Sequence, residues 1–483
     1  MRPLLDGPRV RAAGLRRCSG SRGRGEGGDA RGRAIQRRLA RSASLEEVLA
    51  LLREGPGSWP PVTLATAWHR LARHARQSPS GRSAPVGRAT RELAEALERS
   101  DLAGFSARGL ANTVYAWGVL RFKGEHLTKK VFAHVAGRVG ECNAQELANL
   151  IYAQGLLRSG LADGLLGPSC AEVSRLVDEF SPQDLSNIAY ALALLGHRNT
   201  GVLRAVCSGA LPRLPAFTPQ GCSNLLYSLG VLRFRHQRLL RAACAQVAER
   251  LPAFKEQEIS NSVYALALLR CRDCRLLQAV CVHLRPRLHE FKTRGLSSIF
   301  YAFGLLDFRD DDFLAGACDH ALGRLAEFNA QDISNTVYAM GLLEYRHDGL
   351  LSGVGDVMPE RFQEFTGQGL ANVVYSMGLL EFRHDGLLRA ICEHLPGRME
   401  DLSEQHVSNV VYALGLLGFP HEHFLRAVAG HGPRLAKELT TQGLCIVVYG
   451  LALLWPQLGG RRRMAVATGS GARREMAAIA GGG

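Results

Sequence analysis

An all-α solenoid of about ten 37-residue helix-turn-helix repeats is the fold that three features of this 483-residue chain predict. The first is a tyrosine that returns at Tyr115, Tyr152, Tyr190, Tyr227, Tyr264, Tyr301, Tyr338, Tyr375, Tyr412 and Tyr449, every 37 residues except for one step of 38 after Tyr152. The second is an asparagine three residues earlier, at Asn112, Asn149, Asn187, Asn224, Asn261, Asn335, Asn372 and Asn409, with Ser298 and Ile446 as the two breaks. The third is the phrase around them, clearest as SNVVYALGLL at Ser408 to Leu417. A period of roughly 20–50 residues marks units that bury their apolar faces only by stacking on neighbours, so no single repeat is expected to fold alone.

From the N-terminus, residues 1–45 hold twelve arginines against Asp6, Glu26 and Asp29. An acid-poor, Arg-rich, Ala-rich leader of this kind resembles an organellar transit peptide, and is expected to be disordered whether or not it carries an address. The match GxGxxG at Gly23, Gly25 and Gly28 has no strand before it and no helix after it, so it is not a dinucleotide motif. Residues 46–100 form an N-terminal cap and linker, with helical stretches at Glu46 to Arg53 and Val62 to Arg76, Trp68 in the tyrosine's place, and a linker at Ser78 to Gly87.

The solenoid occupies residues 101–455. Each first helix opens on a small polar residue, Ser106, Asn143, Ser181, Thr218, Asn329, Thr366, Ser403 or Thr440, whose oxygen can accept from free N–H groups of the first turn. Lys255 and Lys292 are the exceptions, and Pro182 and Pro219 sit at the first helical position, where a missing N–H costs nothing. A phenylalanine before the cap and an apolar residue five further on, such as Phe365 and Leu370, form a hydrophobic staple. After a Leu-Leu pair and a turn such as FRHDG at Phe382 to Gly386, a second helix runs from Leu387 to about Met399. Residues 456–483 read as a disordered basic tail.

Net charge is +15 with a pI near 9.6, but residues 1–45 carry +9 and residues 456–483 carry +4, which leaves about +2 for the long middle. Any polyanion surface therefore depends on where charges are placed rather than on a basic domain. Apolar runs stop near ten residues, as at Ile446 to Trp455, too short to span a bilayer. The twelve cysteines fall mostly in apolar helix positions, and the CxxC at Cys271 and Cys274 has no second pair at zinc-ribbon spacing. No metal, no cofactor and no catalytic constellation is expected.

Three polar series remain. Glutamine at Gln145, Gln183, Gln220, Gln257, Gln331, Gln368, Gln405 and Gln442, replaced by Arg108 and Arg294, shares one helix face with the asparagine and tyrosine. Because asparagine and tyrosine hardly vary, they read as repeat framework rather than as a base code. Positions that vary are better suited to face bases: Glu146, Asp184, Glu258, Asp332 and His406, three residues after the cap, which equally suit acids at a helix N-terminus. Lys123, Arg198, Arg235, Arg272, Arg309, Arg346 and Arg383 recur in the turn, where a row of charges could follow RNA phosphates or serve a helix dipole. A second row, Arg138, Arg213, Arg250, Arg287, Arg324, Arg361 and Arg398, lies near the end of the second helix, with acids close behind at Glu290, Glu327 and Glu364.

The segment FSPQDLSNIAYALALLG at Phe180 to Gly196 and its sister units resemble the octotricopeptide and heptatricopeptide repeats of organellar RNA-processing proteins. They are similar also to the helical repeats of FAST-kinase-domain and RAP-domain proteins, and to the repeat subunit of the RNA-editing substrate-binding complex. The resemblance covers roughly Phe105 to Trp455. It implies a non-catalytic solenoid that binds single-stranded RNA, alongside other ribonucleoprotein subunits and no membrane. The setting it implies is the mitochondrial matrix, or a plastid, in RNA processing, editing, stability or translation. The chain departs from relatives in having tyrosine where tryptophan is common and in lacking a recognisable RAP domain. A protein-binding scaffold that does not touch RNA is the alternative.

Overall fold

The computed structural model describes residues 30–56, 59–78, 83–158, 163–432, 434 and 440–457. Its chain is an α-solenoid of helical hairpins, divided into two compact units, Met1–Gln246 and Val247–Gly483. In unit 1 the hairpins pair α1 (Ala30–Arg41) with α2 (Leu45–Leu52), α3 (Pro61–Gln77) with α4 (Ala84–Glu98), α5 (Ala107–Leu120) with α6 (Glu125–Ala136), and α7 (Ala144–Leu157) with α8 (Asp163–Val173). They continue with α9 (Pro182–Leu195), α10 (Thr200–Ala210), α11 (Pro219–Val231) and α12 (Gln237–Glu249). Unit 2 runs through α13 (Glu256–Leu268), α14 (Cys274–Leu284), α15 (Thr293–Leu306), α16 (Asp311–Leu322), α17 (Ala330–Leu342) and α18 (Asp348–Val357). It ends with α19 (Gly367–Leu379), α20 (Asp385–His394), α21 (Glu404–Leu416), α22 (Glu422–Gly430) and α23 (Thr441–Leu454).

Within each unit the odd-numbered helices, here helices A, pack side by side, α5 on α7 and α17 on α19 for example, while helices B form a second layer, α6 on α8 and α16 on α18. The residue three after the tyrosine sets the approach of helices A; it is glycine in seven of the ten repeats and alanine at Ala193, Ala267 and Ala452. A Cβ on Gly155 would lie 2.7 Å from the Ala191 Cα, and one on Gly378 2.7 Å from the Ala413 Cα, closer than carbon atoms tolerate. The polar starts form as the sequence predicts: Ser106, Asn143, Ser181, Thr218, Asn329, Thr366, Ser403 and Thr440 each accept from the N–H three residues on. Helices B are capped by Asn199, Asp273 and Asp310, or by histidine: Nδ1 of His347 accepts from Leu350 N–H, and that of His384 from Leu387 N–H.

The N-terminal region departs from expectation. The helix α1 lies in the stretch expected to be disordered; its Ile35 and Leu39 are buried and it packs on α3, because these two residues, one turn apart, make an apolar stripe on an otherwise basic helix. The helix α4, with Val86, Ala89, Leu93, Ala96 and Leu97 buried, fills sequence assigned to the linker and cap, and α2 packs on α4. Two degenerate hairpins thus precede the first recognisable repeat. Residues 1–29 of the expected leader and 458–483 of the expected tail lie outside the described residues.

The register of α3 is also one residue off. A Cβ on Gly109 would meet Ala65, whereas the equivalent glycines 221 and 369 meet Ser186 and Ser334, each one residue before an asparagine. Thr66 therefore takes the asparagine place and His69 the tyrosine place, while Trp68 packs edge-on to Trp117 at 5.9 Å. Helix B is shorter than the expected Leu387 to Met399: α20 stops at His394 and a 3₁₀ stretch covers Leu395–Asp401, because Pro396 lacks the N–H that would extend the α-helix.

Candidate nucleic-acid interface

The face of helix A opposite helix B carries the glutamine, asparagine and tyrosine at spacings of four and three. Gln145, Gln331, Gln368, Gln405 and Gln442 are exposed, while Asn187, Asn224, Asn261, Asn335 and Asn409 are buried behind them. The tyrosines form files of tilted rings. In unit 1, Tyr115 and Tyr152 are 6.4 Å apart and Tyr152 and Tyr190 6.3 Å; in unit 2, Tyr264 to Tyr301, Tyr301 to Tyr338 and Tyr412 to Tyr449 are 6.3, 6.2 and 6.0 Å. These spacings suit ring-on-ring attraction between repeats, so the rings are occupied by one another. Burial pushes the phenols of Tyr152, Tyr190 and Tyr375 well above the usual range.

The turn row is unequal. In unit 2, Arg309, Arg346 and Arg383 each hold an aspartate, two backbone carbonyls and an aromatic ring at once. Arg346 donates from Nε and Nη2 to Asp348 and from Nη1 to the Leu380 and Glu381 carbonyls at the end of the next helix A, with its guanidinium 5.4 Å from the Phe382 ring centroid. Arg309 does the same with Asp311, Leu343, Glu344 and Tyr345, and Arg383 with Asp385, Leu417, Gly418 and Phe419. A planar fork of five donors matches this set, and the carbonyl end of a helix favours a cation. The paired aspartates, Asp311, Asp348 and Asp385, are held below the usual carboxylate range by their arginines. Arg272 pairs with Asp307 at 3.3 Å, and Arg198 reaches the Arg233 carbonyl at 3.4 Å. Lys123 and Arg235 are exposed.

In the second row, five arginines tie to the preceding repeat. Arg138, Arg324, Arg361 and Arg398 donate to the carbonyls of Phe105, Phe291, Phe328 and Phe365, and fork onto Glu141, Glu327, Glu364 and Asp401 three residues later. Arg213 reaches the Asp178 carbonyl and Arg287 pairs with Glu290. The five residues expected to face bases are occupied at the helix starts. Glu146, Asp184 and Glu258 accept from the N–H of Asn143, Ser181 and Lys255, and His406 Nδ1 from that of Ser403. Asp332 is buried, and burial first of all pushes its carboxyl up to about 6.

One cationic series escaped the sequence reading. Six residues after the tyrosine, the chain turns through the left-handed region to leave helix A, with φ of 54°, 46°, 49° and 49° at Arg121, Arg158, Arg233 and Arg270. Glycine holds this place at Gly196 and Gly418, and acids hold it at Asp307, Glu344 and Glu381. The four arginine side chains are exposed. In unit 1 the turn edge is therefore positive at Arg121, Lys123, Arg158, Arg233 and Arg235, whereas in unit 2 only Arg270 keeps an arginine at this place and an acid stands two residues before each of Arg309, Arg346 and Arg383. Glycine at two of the nine places was the available signal for this left-handed exit.

Among the described residues no group of three or more His, Cys, Asp or Glu side chains stands close enough to hold a metal ion, and no helix is long and apolar enough to cross a membrane. Burial pushes the thiols of Cys207, Cys318 and Cys392 up to about 12, which leaves them unreactive.

Stacked A/B hairpins tied by arginine at both edges define a helical-repeat solenoid protein. The model of one family, the RNA-editing substrate-binding complex 8 protein, matches residues 194–448, more than half of the 483-residue chain. The chain belongs to that family. No curated protein matches it. Among solved structures, a homology model of the full-length AP-3 complex in an intermediate open conformation is similar at 12% identity, covering 94% of this chain and 87% of that one with a TM-score of 0.26, a value too low to carry any argument.

Proposed function

We propose that the protein is a non-catalytic subunit of an RNA-editing substrate-binding assembly that holds single-stranded RNA on its helix-A face. Phosphates lie along the basic turn edge of unit 1, at Arg121, Lys123, Arg158, Arg233 and Arg235, and bases meet the exposed glutamine amides. The observation that supports this reading is the run of exposed arginines at the left-handed turn position of unit 1, Arg121, Arg158 and Arg233, against acids at Asp307, Glu344 and Glu381 of unit 2, where Arg270 is the exception. Asparagine and tyrosine serve as framework, and Arg309, Arg346 and Arg383 hold repeats together. Residues 1–29 supply a mitochondrial address, a reading supported by their seven arginines.

The test is binding of a labelled single-stranded RNA across a series of salt concentrations. The triple variant Arg121→Gln, Arg158→Gln, Arg233→Gln is expected to lower the slope of log affinity against log salt by about 2, at ~0.7 per phosphate contact. An unchanged slope overturns the phosphate assignment. A scaffold without RNA contact is the second reading, favoured by the internal pairing of most turn-row and edge-row arginines.

A further inference from the structure

Leu444, Val448, Leu451 and Trp455 of the α23 region are 52, 57, 40 and 60% exposed, in a chain whose other large apolar side chains are mostly buried. Their spacings of four, three and four place them on one stripe. The places of Leu444, Val448 and Leu451 are taken in α15 by Leu296, Phe300 and Phe303, all buried, with the Phe303 ring 5.5 Å from Phe313 of α16, while the place of Trp455, one turn further, is that of the exposed turn residue Asp307. The stripe is thus the seat of a helix B.

A helix B of this chain carries apolar residues at i, i+1, i+4, i+5 and i+8. In α16 these are Phe313, Leu314, Ala317, Cys318 and Ala321, beginning twelve residues after Tyr301. In the same register after Tyr449 stand Arg461, Arg462, Ala465, Val466 and Gly469, with two arginines where two large apolar side chains are required. The residues that follow α23 do not carry the pattern, and the seat is of the wrong polarity to face water.

We propose that this stripe is a docking site for an amphipathic helix of another polypeptide, one that presents apolar residues at i, i+1, i+4, i+5 and i+8 and completes the last hairpin in trans. The inference stands apart from the RNA reading, since it concerns the face of helix A opposite the glutamines. Trp455 reports on it directly, because Trp59, Trp68 and Trp117 are buried.

The experiment adds a synthetic peptide of residues 383–399, which contains the α20 pattern, to the full chain and follows tryptophan emission. A saturable blue shift is expected. It should be absent with a peptide carrying Leu388→Asp and Ile391→Asp, and lost in the Val448→Asp chain, whose substitution lies at an exposed position and leaves the circular dichroism unchanged. No shift with the native peptide overturns the proposal. A red shift on removing residues 458–483 overturns it in favour of cover by the chain's own tail. A shift that grows with protein concentration alone, together with a doubled mass in light scattering, overturns it in favour of a second copy.

Discussion

Gly378 shows how a single residue governs repeat spacing. Its missing Cβ lets α19 approach α21 until backbone meets backbone, so Gly378→Val should overpack the contact and destabilise unit 2 by about 1–3 kcal/mol, read as a lower urea midpoint. Asp332 makes a second residue-scale case. Burial pushes its carboxyl up to about 6 in the folded chain, above the ordinary aspartate range, so the folded state binds the proton more tightly than the unfolded one. Its contribution is fully present below pH 4 and is lost as pH rises through 6. The chain should therefore lose, between pH 4 and 6, a part of its stability that Asp332→Asn does not lose, and identical melting differences at both pH values would refute the assignment. Neither feature was legible as chemistry: the glycine read as part of a motif, and Asp332 read as a base-facing acid, because its burial is a property of the neighbouring helix.

At the scale of elements, the turn arginines Arg309, Arg346 and Arg383 of unit 2 tie one hairpin to the next. Arg346→Gln removes donors from the Leu380 and Glu381 carbonyls and a guanidinium from the Phe382 ring, and is expected to lower stability by about 1 kcal/mol with no change in the salt slope of RNA binding. The Arg121, Arg158 and Arg233 variants should do the reverse, lowering the slope while leaving the melting curve in place. Measured side by side, the two sets separate a tie from a phosphate contact. Helix starts were readable from cap residues, since capping is local in sequence. The ties were not, since each arginine meets carbonyls about 35 residues away, and turn position alone is compatible with either role.

At the scale of the molecule, charge is distributed by unit. Cross-linking of bound single-stranded RNA should concentrate in peptides of residues 107–246, and an even spread across both units would count against the proposed edge. The N-terminal boundary is a whole-molecule property as well. The helix α1 is so rich in arginine that composition reads it as leader, yet Leu39 is fully buried on α3. Removing residues 1–41 should accordingly cost helicity and lower the melting temperature, an outcome a disordered leader would not give.

Periodicity determined the fold class, the repeat length and most helix starts, because a tyrosine at a near-constant step of 37 residues and a polar cap before most first helices are local or periodic signals. Only the tertiary structure decided which arginines are tied to neighbouring carbonyls, where the left-handed exits fall, that two degenerate hairpins precede the first repeat, and that the seat on α23 is open. Those outcomes depend on contacts made across repeats, and a repeat's own residues do not state what its neighbours supply.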